Sequence, residues 1–239
     1  MKLNVKDLKL EYNGCTLYLD ENPVKPDIRT LGQMKPVLFD LDAGKGDQKT
    51  PLYHMYRDLF PRLKENDIRY DVTIIFQKPL GPEFNKTLGH YHPPAAPGLS
   101  YTELYNVLEG EAHYLLQKPR PDGSIEDAVL IKAKKGDAVP MPPNYGHITI
   151  NPGEEPLIMA NLVEANFSSD YREYEKHRGG AYYELANGKF VPNPAYGKLP
   201  ELRITKGSSW KGLGPDILAS YLKDPKPFEF LKDPAKYKE

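Results

Sequence analysis

Residues 89–110, GHYHPPAAPGLSYTELYNVLEG, place two histidines one residue apart, then a proline-rich detour, then a lone glutamate inside an aromatic, strand-like run. In an extended chain alternate side chains share a face, so His90 and His92 project together while Tyr91 points away. Two imidazoles on one face are half of a metal claw, and a metal asks for three or four ligands. Six histidines in 239 residues produce an H-x-H by chance in about one chain in eight, so the pair needs further donors. Glu103 follows in the next run, with six residues between it and Gly110. Downstream, GDAVPMPPNYGHITIN (136–151) sets Gly136, Pro142, His147 and Asn151 in a regular series.

The runs around these residues read as short strands. DVTIIFQ (71–77), SYTELYNVL (100–108), EAHYLLQK (111–118), EDAVLIKA (126–133), GDAVPMP (136–142), HITIN (147–151) and LIMANLV (157–163) are alternating or wholly apolar and rich in Val, Ile, Tyr and Phe. Glu109-Gly110, Pro121-Asp122-Gly123 and Asn151-Pro152-Gly153 supply fixed φ or permitted positive φ where the chain reverses. The reading is a β-barrel or sandwich core. The flanks differ: TPLYHMYRDLFPRLKEND (50–67) has helical spacing with Thr50 as cap and Pro51 in the first turn, DYREYEKHRG (170–179) reads as a short polar helix, and a helix is expected near GPDILASYL. The stretch from about 205, rich in Lys, Pro and Gly, reads as a surface-hugging tail.

Composition sets outer bounds. With 32 Lys+Arg against 33 Asp+Glu the net charge is -1, so no global field recruits nucleic acid or an anionic membrane, and an anionic ligand must be held locally. No apolar segment is long enough to span a bilayer. The single Cys15 excludes an internal disulfide, and MKLNVKDLKLEYNG lacks a secretory apolar stretch; the expected address is the cytoplasm.

H-x-H, the later Glu with x6-G, and G-x5-P-x4-H-x3-N resemble the two metal-binding motifs of the cupin superfamily. That resemblance implies an all-β cupin double-stranded β-helix barrel, jelly-roll-like, with short flanking helices. The chain departs from the pattern in its long His92–Glu103 interval, filled by PPAAPGLS, and in Asn144, which occupies a customary glycine. The insertion reads as a longer loop at the barrel mouth. Within cupins, T-x-G-H-x-H (87–92), E-x-Y (103–105), VPMPPNYGH (139–147) and NPGEEP (151–156) resemble the archaeal-type, metal-dependent phosphoglucose isomerases from about residue 25 to 197, including RTLGQM, LLQKPRPDG and NGKFVPNPAYG. The expected organisation is a 1–69 N-terminal decoration with short strands and a helix, a 70–165 barrel core, a 166–204 closing helix and strands, and a 205–239 tail, one domain overall.

Carried over by position, the resemblance makes His90, His92, Glu103 and His147 the metal shell, Glu103 and Tyr105 catalytic, and Thr73, Thr87, Gly89 and Tyr171 holders of substrate and phosphate. Read alone, both threonines are ordinary strand residues. The implied cofactor is one divalent metal, iron first, with Mn, Zn, Ni or Co able to use the same donors. The implied partner is a small sugar phosphate, in the glucose 6-phosphate to fructose 6-phosphate step of glycolysis and gluconeogenesis, with a homodimer as the assembly. Val163 and Ser169 stand where the family often has Tyr and His, so that either other residues, His177 or Tyr171, substitute or the substrate differs. Lys86 beside Thr87 adds charge near the phosphate or is simply solvated. A divalent cation on the carbonyl and hydroxyl oxygens stabilises a developing enediolate; Glu103 as base and a C2-to-C1 hydride shift both remain open, because coordination lowers a carboxylate's basicity. Other metal-cupin chemistry, a sugar epimerase or oxidase, and a non-catalytic binding barrel are the alternatives.

Overall fold

Long runs of Val, Ile, Leu and Tyr leave strands with two apolar faces, and such strands are stable only with both faces covered. The structure, a computed structural model, describes residues 1–239 except 15, 167, 209 and 239; Cys15 therefore lies outside the described residues. Two sheets form the barrel. One runs in the order Ala138–Met141, Glu103–Glu109, Leu157–Glu164, Ile68–Ile75, Pro51–Tyr56, Asp27–Thr30, and the other Arg203–Lys206, Ile125–Lys134, Glu111–Pro119, Gly146–Asn151, Asn85–Lys86. The expected strands are all present, and the all-β double-stranded β-helix of the cupin type is the fold.

Period-two alternation sorts the side chains of each strand. Along Ile68–Ile75, Tyr70, Val72 and Ile74 join an outer apolar cluster, while Arg69 and Thr73 line the barrel cavity. Between Glu103–Glu109 and Glu111–Pro119 the chain passes from one sheet to the other at Gly110, φ +85°, where a Cβ would come 3.3 Å from the Leu157 backbone; glycine is required there.

One helix expectation is corrected. Residues 50–67 form the strand Pro51–Tyr56 and a 3-10 turn, Pro61–Asn66. Two flanking strands, Asp27–Thr30 and Ile68–Ile75, hydrogen-bond to Pro51–Tyr56, and those ladders outweigh an amphipathic stripe that Pro61 would have broken. Tyr53, Met55 and Arg57 face the cavity, whereas the Tyr56 hydroxyl accepts from Leu17 N on the other side. The expected short helices near 170–179 and GPDILASYL are observed at Arg172–Lys176 and Ile217–Lys223.

The outer face of the first sheet is covered from both ends of the chain. An antiparallel meander over residues 2–23 lies on it, and Trp210, Ile217, Leu218, Tyr221, Phe228, Phe230 and Leu231 of the tail are buried in the same cluster. The tail also donates structure to the barrel mouth, since the Thr102 hydroxyl bonds the Phe230 carbonyl at 2.8 Å and Thr102 immediately precedes Glu103. Among the described residues no helix is long and apolar enough to cross a membrane.

Candidate active site

His90 and His147 meet because their backbones form a single antiparallel bridge: His90 N donates to His147 O at 3.2 Å and His147 N to His90 O at 3.1 Å. His92 follows on the same face, and Tyr91 between them turns outward against Tyr174. Glu103 arrives from the opposing sheet, its Oε2 3.3 Å from His92 Nε2 and 3.4 Å from His147 Nε2. One nitrogen or oxygen of each of His90, His92, Glu103 and His147 lies within 4.8 Å of all the others. Donors about 2.1 Å from a shared ion are at most ~4.2 Å apart, so a small contraction closes the cage.

The charges fit a cation. Burial holds the His90 imidazole well below its usual range, with His147 and His92 adding to the effect; burial lowers His147 likewise. Burial raises Glu103, but the His147 and His92 rings against its carboxyl outweigh that and hold it well below the carboxylate range. His92 Nδ1 lies 3.0 Å from the Tyr101 carbonyl, which can only accept, so Nδ1 donates there and Nε2 faces Glu103. Glu103 Oε2 is buried without an aligned hydrogen bond. Three imidazole nitrogens and one carboxylate oxygen converging in a buried site match the donors a divalent cation takes, the imidazoles binding it in their deprotonated form. The donor set of three imidazoles and a carboxylate suits a first-row divalent metal and does not select one.

The scaffold explains the departures noted in the sequence. Asn144 adopts φ +68°, a conformation asparagine tolerates, and its Oδ1 accepts from Ser100 N at 2.9 Å while Nδ2 donates to Gly98 O at 2.8 Å. The residue that replaces glycine thus pins the inserted loop, whose hairpin pairs Pro94–Ala96 with Leu99–Ser100. Gly146 lies where a Cβ would fall 2.5 Å from the Tyr91 ring, which keeps the bridge between His90 and His147 tight.

The family model described as "Glucose-6-phosphate isomerase (GPI)" matches residues 28–201. The chain belongs to the glucose-6-phosphate isomerase family. The glucose-6-phosphate isomerase of Thermococcus litoralis is 30% identical over 169 residues, 70% of this chain and 84% of that protein. That of Pyrococcus furiosus is 29% identical over 178 residues, 73% and 89% of the two. Among solved structures, Lactobacillus farciminis oxalate decarboxylase aligns with TM-score 0.36 and 21% identity over 49% of this chain and 30% of that one. Vicilin from Capsicum annuum aligns with TM-score 0.37 and 19% identity over 49% and 29%.

Thr73, Thr87, Gly89, His90, Glu103, Tyr105 and Tyr171 line one largely enclosed cavity, together with Ser169. Tyr105 OH stands 3.3 Å from His147 Nε2, and burial, then Glu103, push its phenol well up, so it is a proton-bearing donor beside the cage. Gly89 sits at φ +89° against Tyr174 and Ile148. Val163 is buried between Glu103 and Arg69 in the sheet. Of the two substitutes Tyr171 lines the cavity, whereas His177, and with it Lys86, falls elsewhere. His177 stacks on Tyr196 at 4.3 Å and bonds the Glu173 carbonyl, outside the cavity lining. Lys86 is buried, pairs with Glu83 and lies 4.9 Å over the Tyr183 ring; the strand turns it away from its neighbour Thr87. His113 pairs with Glu184 at 2.7 Å, and His54 packs on Phe76. Missed by the sequence reading are Tyr53, Arg57, Arg69 and Asn161, which also line the cavity. Alternation offered a signal for one of them, because a cavity-facing Thr73 places Asp71 and Arg69 on the same face.

Proposed function

We propose that this site interconverts glucose 6-phosphate and fructose 6-phosphate, with His90, His92, Glu103 and His147 holding one divalent metal and Thr73, Thr87, Gly89 and Tyr171 receiving the substrate. The convergence of four donors from two sheets at the mouth of the barrel carries this reading. When bound, the cation supplies Lewis acidity to the carbonyl and the adjacent hydroxyl. The chain's own groups do the rest. Tyr105 presents its hydroxyl beside the reacting end, and Thr73 and Thr87 line the same cavity from opposite sheets. The cavity has room for about 40 Å³, a few waters, so substrate is admitted as partly exposed lining side chains such as Met55 and Tyr171 swing aside.

No uncommitted carboxylate lines the cavity among the described residues. Glu103 is held ionised by the rings around it, which makes it a poor proton acceptor. Asp71 is spent on two arginines, and Asp170 on Arg172. The geometry therefore favours transfer of hydrogen from C2 to C1 within the substrate. Turnover of [2-²H]glucose 6-phosphate checks function and route together: fructose 6-phosphate is expected with most of the deuterium at C1. Complete loss of label to solvent contradicts the hydride route, and absence of any hexose-phosphate isomerisation contradicts the function. The iron preference, the homodimer and the cytoplasmic address belong to the same proposal.

A further inference from the structure

The cavity wall carries charge that the metal cage does not use. Arg57 and Arg69 both line it, and one carboxylate holds both. Asp71 Oδ2 accepts from Arg57 Nη1 at 2.8 Å and from Arg69 Nε at 2.9 Å, and Asp71 Oδ1 accepts from Asp58 N at 2.8 Å. The Asp71 side chain is 0% exposed, against 36% for Arg57 and 21% for Arg69. Two guanidiniums on one carboxylate leave one positive charge uncompensated beside the cavity. With Arg57 partly exposed, that charge is open to an anion entering the cavity.

Register gives its position. Glu103 stands opposite Val163, which stands opposite Arg69; one step along, Tyr105 is opposite Asn161, which is opposite Asp71; one step further Met159 is opposite Thr73. Each step is about 6.8 Å along a strand. Arg69 is thus level with Glu103, and Asp71 lies one step from it toward Thr73. The threonine hydroxyls and the Gly89 backbone offer donors but no formal charge, whereas a sugar phosphate brings close to two negative charges into the cavity. A guanidinium already fixed by a buried carboxylate meets that phosphate with little ordering cost and a planar fork of N–H donors.

We infer that Arg57 is a substrate-binding residue that holds the phosphate of the sugar phosphate, with Asp71 and Arg69 positioning it. This rests on the isomerase reading of the site. The test is steady-state kinetics of metal-loaded wild type, Arg57→Gln and Arg57→Lys with glucose 6-phosphate, and inhibition by inorganic phosphate. Arg57→Gln is expected to raise KM and the phosphate inhibition constant together by about 10- to 100-fold, the range of one or two lost charge-assisted hydrogen bonds, with kcat and metal content little changed. Arg57→Lys falls between. Unchanged KM and phosphate inhibition in a metal-replete Arg57→Gln overturn the inference, as does a loss confined to kcat, which would put the guanidinium at the reacting carbons. A contact readout covers variants that fail to fold: inorganic phosphate is expected to protect Arg57 of the metal-loaded wild type from phenylglyoxal, read by peptide mass, and no protection overturns the inference. Wild type that isomerises nothing sinks the isomerase reading, while protection of Arg57 still decides whether it binds phosphate.

Discussion

Replacing Glu103 with alanine lowers isomerase turnover by about 10³-fold or more and strips the protein of metal on dialysis. The carboxylate is the only anion among the four converging donors, and three neutral imidazoles in a buried pocket leave a dication without the charge that balances its lost hydration. The same reasoning fixes the sign of the stability change. In the metal-free protein, against its burial, the His147 and His92 rings hold the Glu103 carboxyl well below the carboxylate range, so near neutral pH its removal takes stability from the apo fold as well: apo Glu103→Ala is expected to melt below apo wild type. Elemental analysis, turnover and a thermal melt on one preparation check all three. A variant that keeps stoichiometric metal and turnover within about tenfold of wild type would remove Glu103 from the cage.

Ending the chain at residue 204 is the second large effect, and it acts on folding. The deletion removes Trp210, Ile217, Leu218, Tyr221, Phe228, Phe230 and Leu231 from a cluster that also holds Tyr70, Val72, Ile74 and Leu104 on the outer face of the first sheet. Each such side chain contributes about 1.5–3 kcal/mol by burial, and together they are comparable to or larger than the roughly 5–15 kcal/mol by which a domain is stable. The expected product is insoluble, or expanded and without a cooperative melt. The milder Phe230→Ala costs about 3–5 kcal/mol and disturbs the strand start at Thr102, whose hydroxyl bonds the Phe230 carbonyl; its metal affinity falls with its melting temperature. A truncated chain that melts within a few degrees of full length would show that the tail is only a covering. Circular dichroism decides between them.

The cage was legible because its spacing is set by backbone periodicity. H-x-H puts two rings on one face of any extended segment, and the series from Gly136 to Asn151 describes a turn, a strand and a buried amide that bonds the Ile75 and Glu155 carbonyls. The strands from 68 to 164 were legible for the same reason: unbroken β-branched and aromatic runs between turn residues. The arginine pair was not. Arg57 lies in a segment whose apolar spacing suits a helix, and only the ladders on both sides of Pro51–Tyr56 make it a strand that aims Arg57 inward. Lys86 illustrates the converse, since nothing local to it shows that Glu83 and the Tyr183 ring take its charge out of the cavity. The depth of the tail's burial also escaped a reading of Lys, Pro and Gly content, because its aromatic and aliphatic residues are scattered between them and meet only on the sheet.

The most direct measurement is glucose 6-phosphate isomerisation by the purified chain before chelation, after exhaustive chelation confirmed by elemental analysis, and after one equivalent of divalent metal is returned. Activity that disappears with the metal and comes back with it is the result this structure predicts. Undiminished turnover in protein shown to be free of metal would contradict it, because the convergence of His90, His92, Glu103 and His147 would then serve no cation at all.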